Sequence, residues 1–547
     1  LHDALPIFGT QKIEGVVSGK TITFAYKGLN YATAYTFTLA AGSVADLTDN
    51  ATDQAIVLNF TTKTKPAVTK ALYDFIVPTD GDFKAALAAA AKRTDTSKRF
   101  RIFIKQGDYK IPADEKSKVT GSDGKSYANP TTYMNTPNVS IIGEGMDNTS
   151  LTNTVPNAEY KNANQKSPAN VLEGIGKGDV LCLQKGATGT YFQDLKMYSS
   201  MGDAKGRDIV LNDQSNKTIC KNVNLWAYQD TYVSNNQNGK FYFEDGILRG
   251  RTDYLCGKGD VYYNNVELWI CEKGGYLAVP SQPKKYGYIF KDCTIKDATE
   301  AKDLNGNYTL GRPWGKGTPI ALYIDTKMEA IPSAAGWNEM SGGYPKRFAE
   351  YNSYTSTGSI VDLKDRKKVY DAYDSKDGDN YVNRRNETAG DPILTAEEAA
   401  TYTIETVMGQ DDDWDPTAAT EQASAPSNVK LNGTTLAWDN NDYALLWAVC
   451  KNGKVVDFTI KPTYLVDDAS ATWSVRAANE MGGLSEATAA VLGTGIHNIA
   501  SATDAAVIKT AIYAADGTQL SNLQKGINII VKTLADGSKK TSKVIVK

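Results

Sequence analysis

The chain has 547 residues, 41% hydrophobic and 22% charged, with a net charge of −3 and a pI of 5.8; at a prior of about 150 residues per domain it holds three or four. That charge balance argues against nucleic acid or an anionic membrane as the main partner, and no apolar run reaches the ~18 residues that a membrane-spanning segment needs. Only two histidines occur, His2 and His497, both near the ends, so a Ser-His-Asp mechanism or a His-rich zinc site lacks its parts in the middle of the chain.

The start, LHDALPIF from Leu1, lacks the basic opening and cleavage pattern of a signal peptide and reads as a truncated or mature chain. Residues 1–65 alternate apolar and polar positions, as at Ile22 and Phe24 and then Tyr35, Phe37 and Leu39, which predicts a small β-sandwich. The stretch TAYTFTLAAGSVADLTDN is similar to bacterial Ig-like domains and suits a spacer. Beyond Pro66, Asp82 is placed to cap a helix through Phe83, Leu87 and Ala90, followed by a strand over 100–104. Such a helix is suited to covering the open end of a long β region.

From about 139 to 300 the chain repeats itself. Phe192-Gln-Asp194-Leu-Lys-Met197 is followed by Cys220-Lys-Asn222-Val-Asn-Leu225 and Phe243-Glu-Asp245-Gly-Ile-Leu248. Tyr263-Asn-Asn265-Val-Glu-Leu268 and Phe290-Lys-Asp292-Cys-Thr-Ile295 complete the series. The Asp/Asn positions recur at intervals of 28, 23, 20 and 27 residues. One short strand motif per irregular period in the twenties fits a parallel β-helix, in which each coil stacks like side chains on its neighbour. A leucine-rich horseshoe needs more leucines, and a propeller needs four strands per repeat. The expected domain order is therefore 1–65, an Ig-like sandwich; 66–416, the β-helix; 417–427, a polar Pro/Ala-rich linker; 428–492, where TWSVRAANEMGG resembles late strands of a fibronectin III domain; and 493–547, a C-terminal β module. That last module resembles those of proteins exported by Bacteroidetes-type bacteria, and a plain β module without a sorting role is the alternative. The six cysteines have no metal-ligand spacing and read as buried thiols.

Chemistry concentrates between Tyr228 and Gly257. Asp230 and Asp253 lie 23 residues apart, about one coil, so a parallel β-helix brings their carboxyls to neighbouring strands roughly 4.7–4.9 Å apart. Two carboxyls that close do not readily both ionise, which supplies an acid and a nucleophile. Further on, Gly311-Arg-Pro-Trp314 sets a guanidinium two residues from an indole, a pairing suited to an anionic sugar.

Taken together, YQDT (228–231), GRTDYLCG (250–257), YTLGRPW (308–314), AAGW (334–337) and AEYNS (349–353) resemble the pectin methylesterase family. IKQGDYKI (104–111), GEGMDNTSL (143–151) and TAEEAATYTIETVMGQDDDWDP (395–416) extend the resemblance over about 68–416. The resemblance implies an all-β, right-handed parallel β-helix with flanking β-sandwich domains and a cleft for methylated polygalacturonate. It also implies no metal or organic cofactor, a monomer, no nucleic-acid partner and a secreted, cell-surface or periplasmic location. It casts Asp253 as nucleophile, Asp230 as acid and then base, Gln229 as oxyanion donor and Arg312 as the group that orients Asp253 and keeps it charged. Trp314, Tyr232, Tyr254 and Arg207 fall to the substrate. Arg207 stands where the family has a second oxyanion glutamine; an arginine there can serve an oxyanion, a substrate carboxylate or only solvent, and the sequence leaves all three open. Two other readings stand beside the esterase: a carbohydrate-binding β-helix altered in catalysis, and an esterase for another acylated polysaccharide. A lyase or polygalacturonase reading lacks its calcium-binding acidic cluster or its histidine.

Overall fold

The structure, a computed structural model, describes residues 7–492 and 507–546, apart from 9–10, 14, 19–20, 25–28, 46–49, 69–70, 157–170, 204–205, 299–302, 441–443 and 535–538. His2, His497, residues 1–6 of the first predicted domain and 493–506 of the last thus lie outside the described residues. The middle of the chain is the expected parallel β-helix. Its three faces are parallel sheets of seven, ten and nine strands; each central coil contributes one short strand to each, and the end coils lack one or two.

The repeat noticed in the sequence is the turn from the ten-stranded to the nine-stranded face. Asp194, Asn222, Asp245, Asn265 and Asp292 all sit there at φ between 48° and 58°, a left-handed conformation that Asn and Asp tolerate better than other non-glycine residues. Their side chains also bond from coil to coil: Asn222 Nδ2 donates to Asp194 Oδ1 at 2.6 Å and Asn265 Nδ2 to Asp245 Oδ1 at 2.8 Å. The residue two places before each turn points inward. Phe192, Cys220, Phe243, Tyr263, Phe290 and Tyr323 therefore form one interior column in register. The Tyr263–Phe290 and Phe290–Tyr323 rings stack nearly parallel at 4.6 and 4.2 Å, a favoured aromatic separation. The aliphatic end of each motif makes a second column, Met197, Leu225, Leu248, Leu268, Ile295 and Met328.

Both ends of this core are closed. At the front, Asp82 caps the helix Phe83–Lys92 by accepting from the Ala85 N–H at 2.8 Å, and Phe83, Ala86, Leu87 and Ala90 bury against the first coils. At the rear, the aromatic column ends in Glu350, in register with Tyr323. Glu350 and Arg366 are both fully buried and paired, Nε to Oε1 at 2.6 Å, with Ser353 Oγ also donating to Glu350.

The ten-stranded face is covered on its outside. Two helices, Ala396–Ala400 and Ile404–Met408, pack there, the first with a complete Thr395/Glu398 capping box. Beside them lies a sandwich of two four-stranded sheets built from residues 430–492, with Trp447, Val449, Trp473 and Val475 in its own core. It docks through Phe458, whose ring lies 4.8 Å from Tyr73 and 5.3 Å from Phe103, and through Arg476, which donates to the Glu144 carbonyl at 2.7 Å. The stretch 417–427, expected as a linker, is instead tied down in its first half. Residues Thr417–Thr420 form a helical turn, Thr420 bonds Glu244 at 2.7 Å, and Gln422 accepts from Gln193 at 2.6 Å. The six cysteines are free thiols, five of them buried. Among the described residues no helix is long and apolar enough to cross a membrane.

Removing one partner of a buried ion pair leaves an uncompensated charge. Arg366→Ala is therefore expected to lower unfolding free energy by about 3–5 kcal/mol, and Arg366→Met/Glu350→Leu by clearly less. Chemical denaturation of the three proteins checks both.

Candidate active site

Gln229 and Asp230 lie on the short turn between the strand Asn224–Trp226 of the nine-stranded face and Tyr232–Ser234 of the seven-stranded face. Asp253 lies one coil on, in the strand Thr252–Gly257. Parallel bridges join Arg207 to Gln229 and Gln229 to Thr252. Past those bridges, the Asp208 N–H reaches the Gln229 carbonyl and the Asp230 N–H reaches the Thr252 carbonyl, each at 3.3 Å. The repeated pattern stacks Asp208, Asp230 and Asp253 on three successive coils. Asp230 and Asp253 share left-handed backbones, at φ 58° and 52°.

Arg312 arrives from the end of the strand Tyr308–Gly311, two coils further along. Its Nε donates to Asp253 Oδ1 at 2.9 Å and its terminal nitrogen to Oδ2 at 2.6 Å. This fork-on-carboxylate geometry favours a charged carboxylate and fixes its plane. The guanidinium is backed by the Tyr276 ring at 4.0 Å, a cation–π contact that holds its orientation. Trp314, two residues on, is 40% exposed.

Asp230 is nearly buried. Its Oδ2 lies 3.8 Å from Arg207 Nε, and its Oδ1 accepts from the Cys256 thiol at 3.7 Å. Burial, and then the negative charge of Asp253, push its carboxyl up to about 7, while Arg207, Cys256 and Arg312 pull the other way. The pair is thus asymmetric: one carboxyl clamped by a guanidinium, the other inclined to hold a proton near neutrality. Protonated, Asp230 is a general acid; once it has given up that proton, it is a base.

The structure brings Asp230, Asp253, Gln229, Arg312, Trp314 and Arg207 to one edge of the β-helix. It does not bring Tyr232 or Tyr254 there. Both are 0% exposed in the interior core, so neither lines a substrate surface. The left-handed backbone at Asp253 and the irregular register that follows it turn both Tyr254 and Leu255 inward, breaking strict alternation. The outward positions on this face are instead Val233, Cys256 and Val279, packed with Ile209 and partly covered by Ile175 and Met340. Sequence reasoning also passed over Tyr276 and Asp208. Asp208 carried a signal, since it follows Arg207 as Asp230 follows Gln229.

A parallel β-helix carrying two apposed aspartates and an arginine clamp on an outer edge defines the class. The pectinesterase family profile matches residues 74–385, and a bacterial Ig-like domain profile matches residues 6–62; the chain belongs to the pectinesterase family. Similar proteins include pectinesterase 1 of Solanum lycopersicum, 23% identical over 298 residues, covering 53% of this chain and 48% of that one. Pectinesterase/pectinesterase inhibitor 18 of Arabidopsis thaliana is 22% identical over 321 residues, covering 56% and 51%. The chain spans about half the length of these curated relatives. Among solved structures it is similar to the pectin methylesterase PemA from Erwinia chrysanthemi (TM-score 0.43, 20% identity, 64% of this chain and 99% of that one) and to the carrot pectin methylesterase (0.40, 18%, 54% and 84%).

Because Arg207 depresses the Asp230 carboxyl, Arg207→Gln is expected to raise its midpoint above that of the wild type. The NMR titration of ¹³C-carboxyl-labelled aspartate, with Asp230→Asn as assignment control, reads the shift. An unchanged midpoint would uncouple the two side chains.

Proposed function

We propose that this chain hydrolyses the methyl esters of polygalacturonate, releasing methanol and de-esterified pectin, as a monomer outside the cell or at its surface. The observation that carries the reading is the asymmetric pair: Asp253 held bidentately by Arg312, with Asp230 one coil away and inclined to keep a proton.

In this reading a charged Asp253 oxygen attacks the ester carbonyl carbon. Negative charge then develops on the carbonyl oxygen, where Gln229, on the same turn as Asp230, serves as donor; loss of one such donor typically costs about 10²–10³ in rate. Collapse breaks the bond to the methoxy oxygen, Asp230 protonates it, and methanol leaves a mixed anhydride between Asp253 and the uronate. Asp230, now charged, takes a proton from the water that attacks the anhydride. The Asp253 carboxylate is expelled and Asp230 regains its proton, so no atom or electron is left over. Trp314 and Arg207 flank the reacting ring, and Arg207 offers its cation to the carboxylate of a neighbouring unesterified residue.

Asp253→Asn is expected to remove methanol release from highly methylated pectin while leaving the melting temperature near that of the wild type. Wild-type turnover in that variant would sink the nucleophile assignment. The first step needs Asp230 protonated, so kcat/KM is expected to fall as pH rises through about 7; a profile flat to pH 9 would contradict that role. A folded wild type that frees no methanol but retains affinity for polygalacturonate would favour the binding β-helix instead.

A further inference from the structure

The stack of aspartates is three deep, and the proposed reaction uses two. Asp208, one coil before Asp230, is 1% exposed. Its Oδ1 accepts from the Gln229 N–H at 3.4 Å, and the Tyr228 N–H and the Ser199 hydroxyl are near enough to favour its charged form. Its Oδ2 is buried without a hydrogen-bond partner among the described residues. The backbone it holds is that of the two residues leading directly into Asp230, whose own backbone is left-handed.

We propose that Asp208 is a positioning residue of this site: an uncharged carboxyl that grips the Tyr228–Gln229 backbone and so sets where the Gln229 and Asp230 side chains stand. The proposal rests on Asp230 being the acid of the esterase reading.

Electrostatics and hydrogen bonding agree on the uncharged form. Coil spacing puts stacked carboxyls roughly 4.7–4.9 Å apart, where like charges repel strongly in a dry interior. Of the cations nearby, Arg312 is paired with Asp253, and the half-exposed Arg207 lies 3.8 Å from Asp230 Oδ2. The groups facing Asp230 are Asp253, Arg207, Arg312 and the Cys256 thiol; those facing Asp208 are Ser199, the two backbone N–H groups and Asp230 itself. None of these supplies a cation to Asp208. A charged Asp208 leaves Oδ2 as a buried acceptor with no donor, a costly arrangement. A protonated Oδ2 carries no charge, while Oδ1 keeps accepting from the backbone. Burial pushes the Asp208 carboxyl well above the usual carboxylate range, and the Asp230 charge adds to this.

The test compares Asp208→Asn, which keeps an acceptor and cannot ionise, with Asp208→Ala, which loses the grip. The Asn variant is expected to keep kcat within about threefold of wild type, and the Ala variant to lose at least about tenfold in kcat with KM within about twofold, since small misplacements of reacting groups act on turnover. In ¹³C-carboxyl-labelled wild type, the Asp208 signal is expected to stay that of a protonated acid at pH 7 and to ionise only after Asp230. Wild-type kcat in the Ala variant, an Asn variant as impaired as the Ala variant, or a carboxylate signal for Asp208 at pH 6 would each overturn the proposal. The NMR titration needs neither turnover nor a substituted Asp208. It therefore still decides if the Ala variant does not fold, and if the wild type releases no methanol, which would defeat the esterase reading separately.

Discussion

Everything in this molecule depends on the spacing between hydrogen-bonded parallel strands. Each coil lies one strand-width above the last, so any residue type that works at one position is pressed against its counterpart a coil away. Where the counterparts are aromatic or aliphatic, the result is a continuous core, seen in the Tyr263–Phe290–Tyr323 stack. Where they are Asp and Asn at left-handed turns, the result is a side-chain ladder. Where they are carboxyls on an outer edge, the same spacing that stabilises the core becomes a source of electrostatic stress. The site is therefore the fold's repeat placed where it stacks groups that repel one another.

That stress is managed unevenly along the stack. Asp253 has a bidentate guanidinium, itself backed by an aromatic ring. Asp230 has a cation at longer range, a thiol, and a buried setting that favours its proton. Two identical side chains on adjacent coils are thereby given different surroundings, one clamped by a guanidinium and the other buried and inclined to hold a proton. The clamp also explains why the active edge needs several coils: Arg312 lies 59 residues beyond the carboxylate it holds.

The sequence was most readable where the period speaks. The turn motif announced the β-helix because stacking demands the same residue at each recurrence, and the 23-residue separation of Asp230 and Asp253 placed them together by the same logic. The Asp82 cap was local chemistry and equally legible. Arg312 and Trp314 had only a suggestive composition by themselves, and it was the resemblance of whole motifs that joined them to the aspartates. Tyr254 was misread because the left-handed residue at Asp253 upsets alternation, and Tyr232, which follows the left-handed Asp230, because it lies in register with the inward Leu255. The docking of the 430–492 sandwich was invisible: Phe458 and Arg476 sit in ordinary alternating strands, and their contacts with Phe103 and Glu144 have no periodic trace. The tethering of the first half of 417–427 was hidden likewise, since Thr420 and Gln422 bond to Glu244 and Gln193, far away in sequence.

The closure at Glu350 bears on what the rear of the β-helix offers to another strand. A stack of parallel strands offers its final rung as a template for the next, and a second copy laid on that rung would be the start of a fibre. Here the final rung is already occupied. The Glu350 N–H is taken by the Pro392 carbonyl, the Leu394 N–H returns to the Glu350 carbonyl, and the proline offers no N–H of its own. A carboxylate and guanidinium sealed beneath this cover make the rung inhospitable to an incoming apolar strand. An added coil would first have to displace the Pro392–Leu394 segment from this rung.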